Sequence, residues 1–257
     1  MAKPKSRRQT GPPARRSAVP SSAAAPPAIQ RRPRPIVRHV VVIGITGAVV
    51  AGFWFSRPTW SPEMRLWKAV GDAALVLLVL ALALGPLARL NRRFTPWLPW
   101  RRQLGIWFAL VALAHGVLVV HGWARWSLRR FLGYEFIPEL GREVRLEPGF
   151  GLANVVGATA LGFALVLAAT SSDRALRGLG APAWRWLHHG ARFVFYLTLL
   201  HVGYFLFLHY TLSFHKAVPP PDWFRVPFVL TGISLIGLQV VAFIKTASKR
   251  NAQEAAA

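Results

Sequence analysis

Six apolar stretches, each roughly 20 residues long, recur along this chain of 257 residues. A helix of about that length crosses the hydrocarbon core of a bilayer, so each stretch predicts a transmembrane helix. The eleven tryptophans also fit the aromatic belts of membrane interfaces. We therefore predict an all-α integral membrane bundle of six transmembrane helices, at residues 40–55, 67–87, 104–123, 152–170, 188–210 and 226–244. The second of these should end at Gly85-Pro86.

The basic residues are distributed unevenly between the two sides of this bundle. The N-terminal segment, the second-to-third and fourth-to-fifth connections and the C-terminal segment, counted with Arg192 near the start of the fifth span, carry 22 Lys or Arg and two acids. The other side, counted with Lys68 and Asp72 near the start of the second span, carries 10 Lys or Arg and seven acids. Because cytoplasmic loops are enriched in Lys and Arg, both termini are predicted to be cytoplasmic. This agrees with an even number of spans, which places both termini on the same side.

The net charge of +23 has two explanations, nucleic-acid binding or basic cytoplasmic loops. The charges fall between the apolar stretches, which favours basic loops in contact with membrane lipid and no nucleic acid. Residues 1–38 contain ten Lys or Arg, no acid and many Pro, Ala and Ser, which predicts a disordered basic arm. The transmembrane domain then covers residues 39–245, and residues 246–257 form a cytoplasmic tail.

The longest connection between spans, residues 124–151, is predicted to lie on the outer side. It mixes arginines with glutamates and has no apolar run. A loop of this length is often functional. An amphipathic segment lying on the membrane surface is the favoured interpretation, and a surface that docks a partner is the alternative.

Histidine is the side chain on which a metal cofactor in this protein would depend. The chain has no Cys, which excludes thiolate metal sites, iron–sulfur clusters and disulfides. Its two methionines, Met1 and Met64, lie outside the predicted spans. Ionisable residues within a span are rare and mark functional sites. His188 and His201, at the start and in the middle of the fifth apolar stretch, are therefore candidate ligands.

Depth in the membrane pairs one of these histidines with His115 of the third stretch. His115 lies thirteen residues after Arg102, and His201 lies thirteen residues after His188. Both stretches run outward from the cytoplasm, so a rise of 1.5 Å per residue places His115 and His201 at one depth, about 20 Å from the cytoplasmic edge. Two facing histidines at one depth can bind a haem iron from both sides. A lone histidine is more often hydrogen-bonded to a neighbouring helix.

The other histidines leave several alternatives open. In a straight helix His188 and His201 lie about 140° apart, so they cannot serve one haem. His188 would then belong to a separate site on the cytoplasmic side. That site would hold a second haem, with His189 or a water as the other ligand, or else one weakly ligated haem, a flavin or a quinone. His121 and His209 lie further outward, where an interfacial role is favoured over a second metal site. His39 and His215 are expected to be solvated.

Five short motifs give the chain a resemblance to the ferric-reductase-like transmembrane domain family. Within that family it is most similar to the haem-binding membrane subunits of bacterial periplasmic methionine sulfoxide reductase systems. The motifs extend over about half of the chain, residues 85–210. They are Pro86-Leu87, Arg101-Arg102-x-Leu104-Gly105 with His115 ten residues later, Thr170-Ser171, Leu179-Gly180, and Trp184-x-x-Leu187-His188 with His201 thirteen residues later.

The resemblance implies a multi-pass protein of the bacterial inner membrane that binds haem b, one or two groups, and transfers electrons across the membrane. It places the axial iron ligands on His115, His188 and His201. The external acceptor would be a periplasmic oxidoreductase, with a molybdenum-containing methionine sulfoxide reductase as the specific candidate. The few residues after the sixth span leave no room for a flavin domain. We therefore expect a separate donor: a cytoplasmic flavin reductase, a quinol or a free flavin such as FMN.

Three other functions compete with this one. The nearest is a ferric reductase membrane component without its own flavin domain, followed by a cytochrome b subunit of another respiratory enzyme. A transporter without cofactor is the alternative from a different class, because its spans would use the same histidines for proton relay or packing. The Arg101-Arg102 pair has two interpretations as well: it attracts a phosphate-bearing flavin or haem propionates, or it is an ordinary basic end of a span.

Overall fold

A computed structural model describes residues 35–145, 148–209 and 221–255. Its longer helices are α1 (Pro35–Phe55), α2 (Pro62–Leu90), α3 (Trp100–Leu118), α5 (Pro148–Ala169), α8 (Ala191–Gly203) and α9 (Arg225–Glu254). Shorter ones are α4 (Leu128–Phe131), α6 (Asp173–Leu179) and α7 (Ala181–His189). Short 3₁₀ helices occur at Arg92–Trp97 and Pro138–Leu140, and π-helical turns at Val119–Trp123 and Tyr204–His209. The two strands are β1 (Tyr134–Ile137) and β2 (Arg142–Arg145).

Six segments within the described ranges are long and apolar enough to cross a membrane, which confirms the predicted all-α membrane bundle. The helices begin earlier than predicted: α1 starts at Pro35 and α2 at Pro62. The predicted basic arm otherwise lies outside the described residues. Helix α9 continues to Glu254, so most of the predicted C-terminal tail is helical.

Helix α2 is the most buried of the six and packs against α1, α3, α8 and α9. Its buried face is rich in small side chains, among them Ala69, Ala73, Ala74 and Ala81. Small residues let helix backbones approach closely in a membrane, where apolar burial alone gives little driving force. The adjoining apolar core includes Leu77 of α2, Phe108 of α3 and Phe195 of α8.

The predicted end of the second span at Gly85-Pro86 is wrong, because α2 continues through Pro86 to Leu90. Proline removes one backbone hydrogen bond, but transmembrane helices tolerate it when neighbouring groups satisfy the freed carbonyls. The carbonyl freed by Pro86 is that of Leu82, and the Arg101 side chain bonds one residue earlier: its Nε donates to the Ala81 carbonyl over 3.2 Å. Gly85 makes room for this guanidinium, since a Cβ there would lie 3.3 Å from Nη1.

The fifth span is not one straight helix. It consists of α7, α8 and the π-helical turn that ends at His209. The chain changes from α7 to α8 at Gly190, where the backbone amide of Gly190 donates to the Leu187 carbonyl over 2.9 Å. The angle of about 140° between His188 and His201 assumed a straight helix and therefore does not apply.

The long connection after the third span contains structure that the sequence did not predict. Strands β1 and β2 form an antiparallel hairpin in which Tyr134 pairs with Arg145 and Ile137 pairs with Arg142. Gly141 has a φ of 60°, the left-handed conformation that suits glycine in a tight turn. Arg129 of α4 forms an ion pair with Glu143 of β2, which joins the hairpin to the short helix before it.

The hairpin and the end of α9 offer a test of the predicted orientation, because the chain has no native Cys. Glu139, in the hairpin turn, and Gln253, near the end of α9, are both exposed. In cells with a permeabilised outer membrane, we expect a membrane-impermeant maleimide to label Glu139→Cys at once and Gln253→Cys only after lysis. The reverse order would show that the orientation predicted from charge is wrong.

Candidate functional site

A cavity of about 430 Å³ lies between α2, α3, α5 and α8. Its size is within the range typical of small-molecule and cofactor sites. Most of its lining is apolar or aromatic, with contributions from Phe108, Leu161 and Phe205. The polar groups include His115 and His201, and also Lys68 and Asp72 on α2. A mainly apolar cavity with a few convergent polar groups is the usual form of a cofactor site.

His115 of α3 and His201 of α8 face each other across this cavity. Their ring centres are 6.5 Å apart and their planes are inclined at 75°. The sequence placed these two residues at one depth on separate helices, and the structure brings them together. Neither histidine is near the other in sequence, so the pair exists only because the third and fifth spans fold against the same cavity.

Each imidazole is oriented by a hydrogen bond from Nδ1 to a helix carbonyl. His115 Nδ1 is 2.9 Å from the Trp67 carbonyl oxygen of α2, and His201 Nδ1 is 2.8 Å from the Ala153 carbonyl oxygen of α5. A carbonyl oxygen only accepts, so Nδ1 carries the proton in both rings. In the neutral imidazole Nε2 then keeps its lone pair. Metal-binding histidines usually have this arrangement, in which one ring nitrogen donates to a carbonyl and the other is left for the metal.

A glycine lies one helical turn after each accepting carbonyl and makes room for the ring. A Cβ at Gly71 would be 3.0 Å from Cε1 of His115, and a Cβ at Gly157 would be 2.5 Å from Nδ1 of His201. Real Cβ atoms do not approach other atoms so closely as the second value. Gly157 follows Gly71 by the same number of residues as His201 follows His115. The α2–α3 pair and the α5–α8 pair therefore support their histidines in the same way.

These residues fit a haem better than a bare metal ion. No group of three or more His, Cys, Asp or Glu side chains that could hold an ion exists in the described part of the chain. A haem needs only two axial ligands from the protein, since the porphyrin supplies the others. With metal–nitrogen bonds of about 2 Å, two imidazoles that share one metal have ring centres about 6 Å apart. The observed 6.5 Å is close to that separation.

His188 is not part of this cavity. It lies on α7, half-buried, where its ring stacks on Trp184 with centres 4.0 Å apart. Its Nε2 is 3.4 Å from Thr170 Oγ1 at the end of the fourth span. The Trp184 indole also donates to the Thr170 carbonyl over 2.9 Å. Among the described residues no second histidine stacks on or bonds to His188, and the adjacent His189 is exposed.

The two arginines at the start of α3 have different surroundings. Arg101 lies against α2, as described above, whereas Arg102 forms an exposed ion pair with Asp173 of α6, with 2.9 Å between Nη1 and Oδ1. This pair joins α3 to α6 on the side of the bundle that holds His188. Whether either arginine contacts a flavin or a propionate stays a prediction.

The remaining histidines also have identifiable partners. His121 Nδ1 accepts a hydrogen bond from the Trp126 indole over 3.2 Å, which agrees with an interfacial position. His209 lines the cavity and contacts the rings of Phe150 and Phe205. His39 was expected to be solvated, but its Nδ1 accepts from the Trp107 indole over 3.1 Å. His215 lies outside the described residues.

Sequence reasoning missed a buried charge cluster beside the cavity. Arg57, in the connection before α2, donates to Asp72 over 2.7 Å and to both carboxylate oxygens of Asp222 over 3.1 Å. Lys68 Nζ lies 3.3 Å from Asp222. The side chains of Arg57, Asp72 and Asp222 are each at most 5% exposed. Asp72 and Lys68 in an apolar stretch were the available signal, because ionisable residues in a span are seldom accidental.

Asp222, which precedes α9 outside the spans, is ionised in this cluster. Burial alone would raise the pKa of its carboxyl. Lys68, the backbone amide of Phe224 and Arg57 together outweigh burial and hold the pKa below its usual value. The same carboxylate accepts from the amide of Phe224, the residue before α9, over 3.0 Å. The cluster therefore joins the α1–α2 connection, α2 and the start of α9.

Comparison with known families identifies the fold. The model of the ferric reductase like transmembrane component family matches residues 70–198, half of the chain. The chain belongs to this family. The matched region contains His115, His188 and the glycines beside the cavity, and it ends three residues before His201. This confirms the resemblance inferred from the motifs and, with the six apolar helices, makes the chain a multi-pass membrane protein.

Two curated relatives are similar over the central part of the chain. Both are named protein-methionine-sulfoxide reductase heme-binding subunit MsrQ. The one from Polaromonas naphthalenivorans (strain CJ2) is 29% identical over 155 residues, which are 58% of this chain and 64% of the relative. The one from Azospira oryzae is 31% identical over 159 residues, 61% of this chain and 60% of the relative. The chain thus spans somewhat under two thirds of the length of either relative.

The glycine beside His201 can be tested against a matched glycine of the same helix. Gly157→Ala would force a Cβ into the His201 ring, whereas a Cβ at Gly162, also on α5, would meet nothing within 4 Å. We expect Gly157→Ala to reduce the haem bound per purified chain several-fold and Gly162→Ala to leave it unchanged. Pyridine haemochrome spectra of the two variants give the measurement. Equal haem content in both would show that the space at Gly157 is not needed.

Proposed function

We propose that this protein is the membrane electron-transfer subunit of an oxidoreductase system and that it binds haem b between His115 and His201. The observation that carries the proposal is the pair of imidazoles, 6.5 Å apart, each with Nδ1 bonded to a carbonyl and Nε2 left for a metal. Family membership and the two relatives named as heme-binding subunits support it.

The chain's own residues supply the placement and the tuning of the cofactor. When bound, haem contributes reversible one-electron chemistry at its iron. The Trp67 and Ala153 carbonyls keep the imidazoles in one tautomer and raise their basicity, which favours the ferric state. The apolar lining excludes water and lowers the local dielectric constant, which disfavours the more highly charged state. These opposing effects set the potential at which electrons pass.

The direction of transfer and the partners are inferred from charge and from the relatives. Electrons would enter from a cytoplasmic-side donor, a flavin, a reductase or a quinol, near Arg101, Arg102 and His188. They would leave to an external acceptor on the side of the β1–β2 hairpin. The names of the relatives favour a periplasmic methionine sulfoxide reductase as that acceptor. The family description favours ferric iron as the alternative.

His188 is proposed to serve the entry of electrons and not the principal haem. It stacks on Trp184 and lies outside the cavity that contains His115 and His201. Exposed aromatic and basic side chains nearby, Trp186 and Arg185, suit a planar, negatively charged ligand such as FMN. A second haem or a quinone at this site is the alternative.

Removal of either facing histidine tests the principal haem. We expect His115→Ala and His201→Ala each to lose most of the bis-histidine low-spin spectrum, because one imidazole cannot hold the iron on both sides. Reduced-minus-oxidised visible spectra of the purified variants, expressed with adequate haem, give the measurement. His39→Ala serves as the control, since His39 bonds to Trp107 and does not line the cavity.

Two outcomes would contradict the proposal. Normal haem content in both His115→Ala and His201→Ala would show that the pair does not bind the iron. A wild-type protein without a reducible b-type spectrum, isolated from haem-replete cells, would favour a transporter that lacks a cofactor.

A third substitution separates electron entry from haem binding. We expect His188→Ala to keep the low-spin spectrum of the principal haem and to slow its reduction by a flavin reductase with FMN about ten-fold. Stopped-flow absorbance at the α band gives the rate, and His189→Ala, at the exposed neighbour, is the matched control. Loss of the principal spectrum in His188→Ala, or an unchanged rate of reduction, would show that this role is wrong.

A further inference from the structure

We propose that the buried cluster of Arg57, Lys68, Asp72 and Asp222 positions α2 against His115 and thereby sets the reduction potential of the principal haem. This inference rests on the proposed function, since it concerns a haem bound by His115 and His201. It assigns a role to four charged residues, of which Lys68 and Asp72 also line the cavity.

The cluster is placed immediately next to the two α2 residues that support His115. Trp67, whose carbonyl accepts from His115, is followed by Lys68; Gly71, which contacts the His115 ring, is followed by Asp72. Successive residues of a helix lie about 100° apart, so one face of α2 meets His115 and the next face meets the cluster. Any shift or rotation of α2 that breaks the cluster also displaces the support of His115.

The cluster fixes this part of α2 from two sides. Arg57 reaches it from the α1–α2 connection, and Asp222 reaches it from the start of α9. The Arg57 guanidinium carbon also lies 5.5 to 5.8 Å from the ring centres of Phe53, Trp60 and Trp223. These rings, together with the fork of hydrogen bonds, give the guanidinium one arrangement, which a point charge would not have.

The other haem ligand lacks such a cluster. Asn154 follows Ala153 on α5, and its amide donates to the Phe131 carbonyl of α4 over 2.8 Å. The support of His201 is thus flanked by a single neutral hydrogen bond, whereas the support of His115 is flanked by four charged side chains. The two ligands are therefore supported in different ways, and a displacement of α2 moves the hydrogen-bond partner of His115 and not that of His201.

The direction of the effect follows from the hydrogen bond between His115 and Trp67. A carbonyl that accepts from Nδ1 makes the imidazole a stronger donor to iron and stabilises the ferric state. A displaced α2 weakens that bond and raises the midpoint potential. If the cluster acts by positioning α2, the midpoint potential rises whether the cluster loses a positive or a negative charge.

A pair of oppositely charged variants tests this prediction. Arg57→Gln removes a positive charge and Asp222→Asn removes a negative one. Simple Coulomb effects would lower the potential in the first and raise it in the second. We expect both to raise the midpoint potential, by an amount equivalent to a several-fold to ten-fold change in the ferric–ferrous equilibrium; a ten-fold change is about 59 mV for one electron. Redox titration of the purified full chain in nanodiscs gives the values.

Three further variants complete the experiment. Gly71→Ala, which presses directly on the His115 ring, should change the potential and the low-spin electron paramagnetic resonance signal in the same direction as the cluster variants. Glu254→Gln, in an exposed ion pair with Arg250 at the end of α9, should match the wild type. If Arg57→Gln fails to fold, Arg57→Lys keeps the charge without the planar fork, and a smaller rise is expected.

The outcomes separate this inference from the proposed function. Opposite shifts in Arg57→Gln and Asp222→Asn, or potentials equal to the wild type in both, would overturn the positioning role while His115→Ala and His201→Ala still lose haem. An unchanged potential in Arg57→Lys would overturn it as well. Retention of haem in both histidine variants would overturn the proposed function itself.

Discussion

Two hydrogen bonds between imidazoles and helix carbonyls connect the fold of this protein to its chemistry. A histidine in an apolar cavity can rotate about two side-chain bonds and exchange its tautomers. The bond to Trp67 or Ala153 removes that freedom before any ligand binds. Because each carbonyl belongs to a neighbouring helix, the site depends on how α2 packs on α3 and how α5 packs on α8. Haem ligation, as proposed, would need little reorganisation of the protein.

The packing of α2 carries an electrostatic cost. Charges are expensive within a bilayer unless they are paired, and α2 contains both Lys68 and Asp72. Removing one partner of a buried ion pair typically costs about 3–5 kcal/mol, because the remaining charge is left without compensation. A protein of marginal stability keeps such a cluster when it specifies an arrangement that apolar packing leaves undetermined. The arrangement specified here is the position of α2 beside His115.

The membrane architecture could be predicted from the sequence because apolar length is a local property. Each predicted span corresponds to a helical segment, and the match of depth predicted that His115 and His201 lie close together. Features that depend on contacts between distant residues could not be read in this way. The contact of Arg101 with α2 joins residues 20 positions apart, and the oriented tautomers depend on carbonyls 48 residues away. The break at Gly190 and the hairpin at Tyr134–Ile137 were missed because short elements have weak periodicity.

The repeated support of the two histidines bears on how such a site could originate. Helices α2 and α5 run in the same direction, as do α3 and α8, and each pair presents one histidine, one accepting carbonyl and one glycine to the shared cavity. A single helical hairpin with these three groups would, as a symmetric homodimer, already place two imidazoles face to face. Gene fusion of two such hairpins would then free each half to diverge. The ion cluster beside one half and the asparagine beside the other are an asymmetry that a symmetric homodimer cannot have.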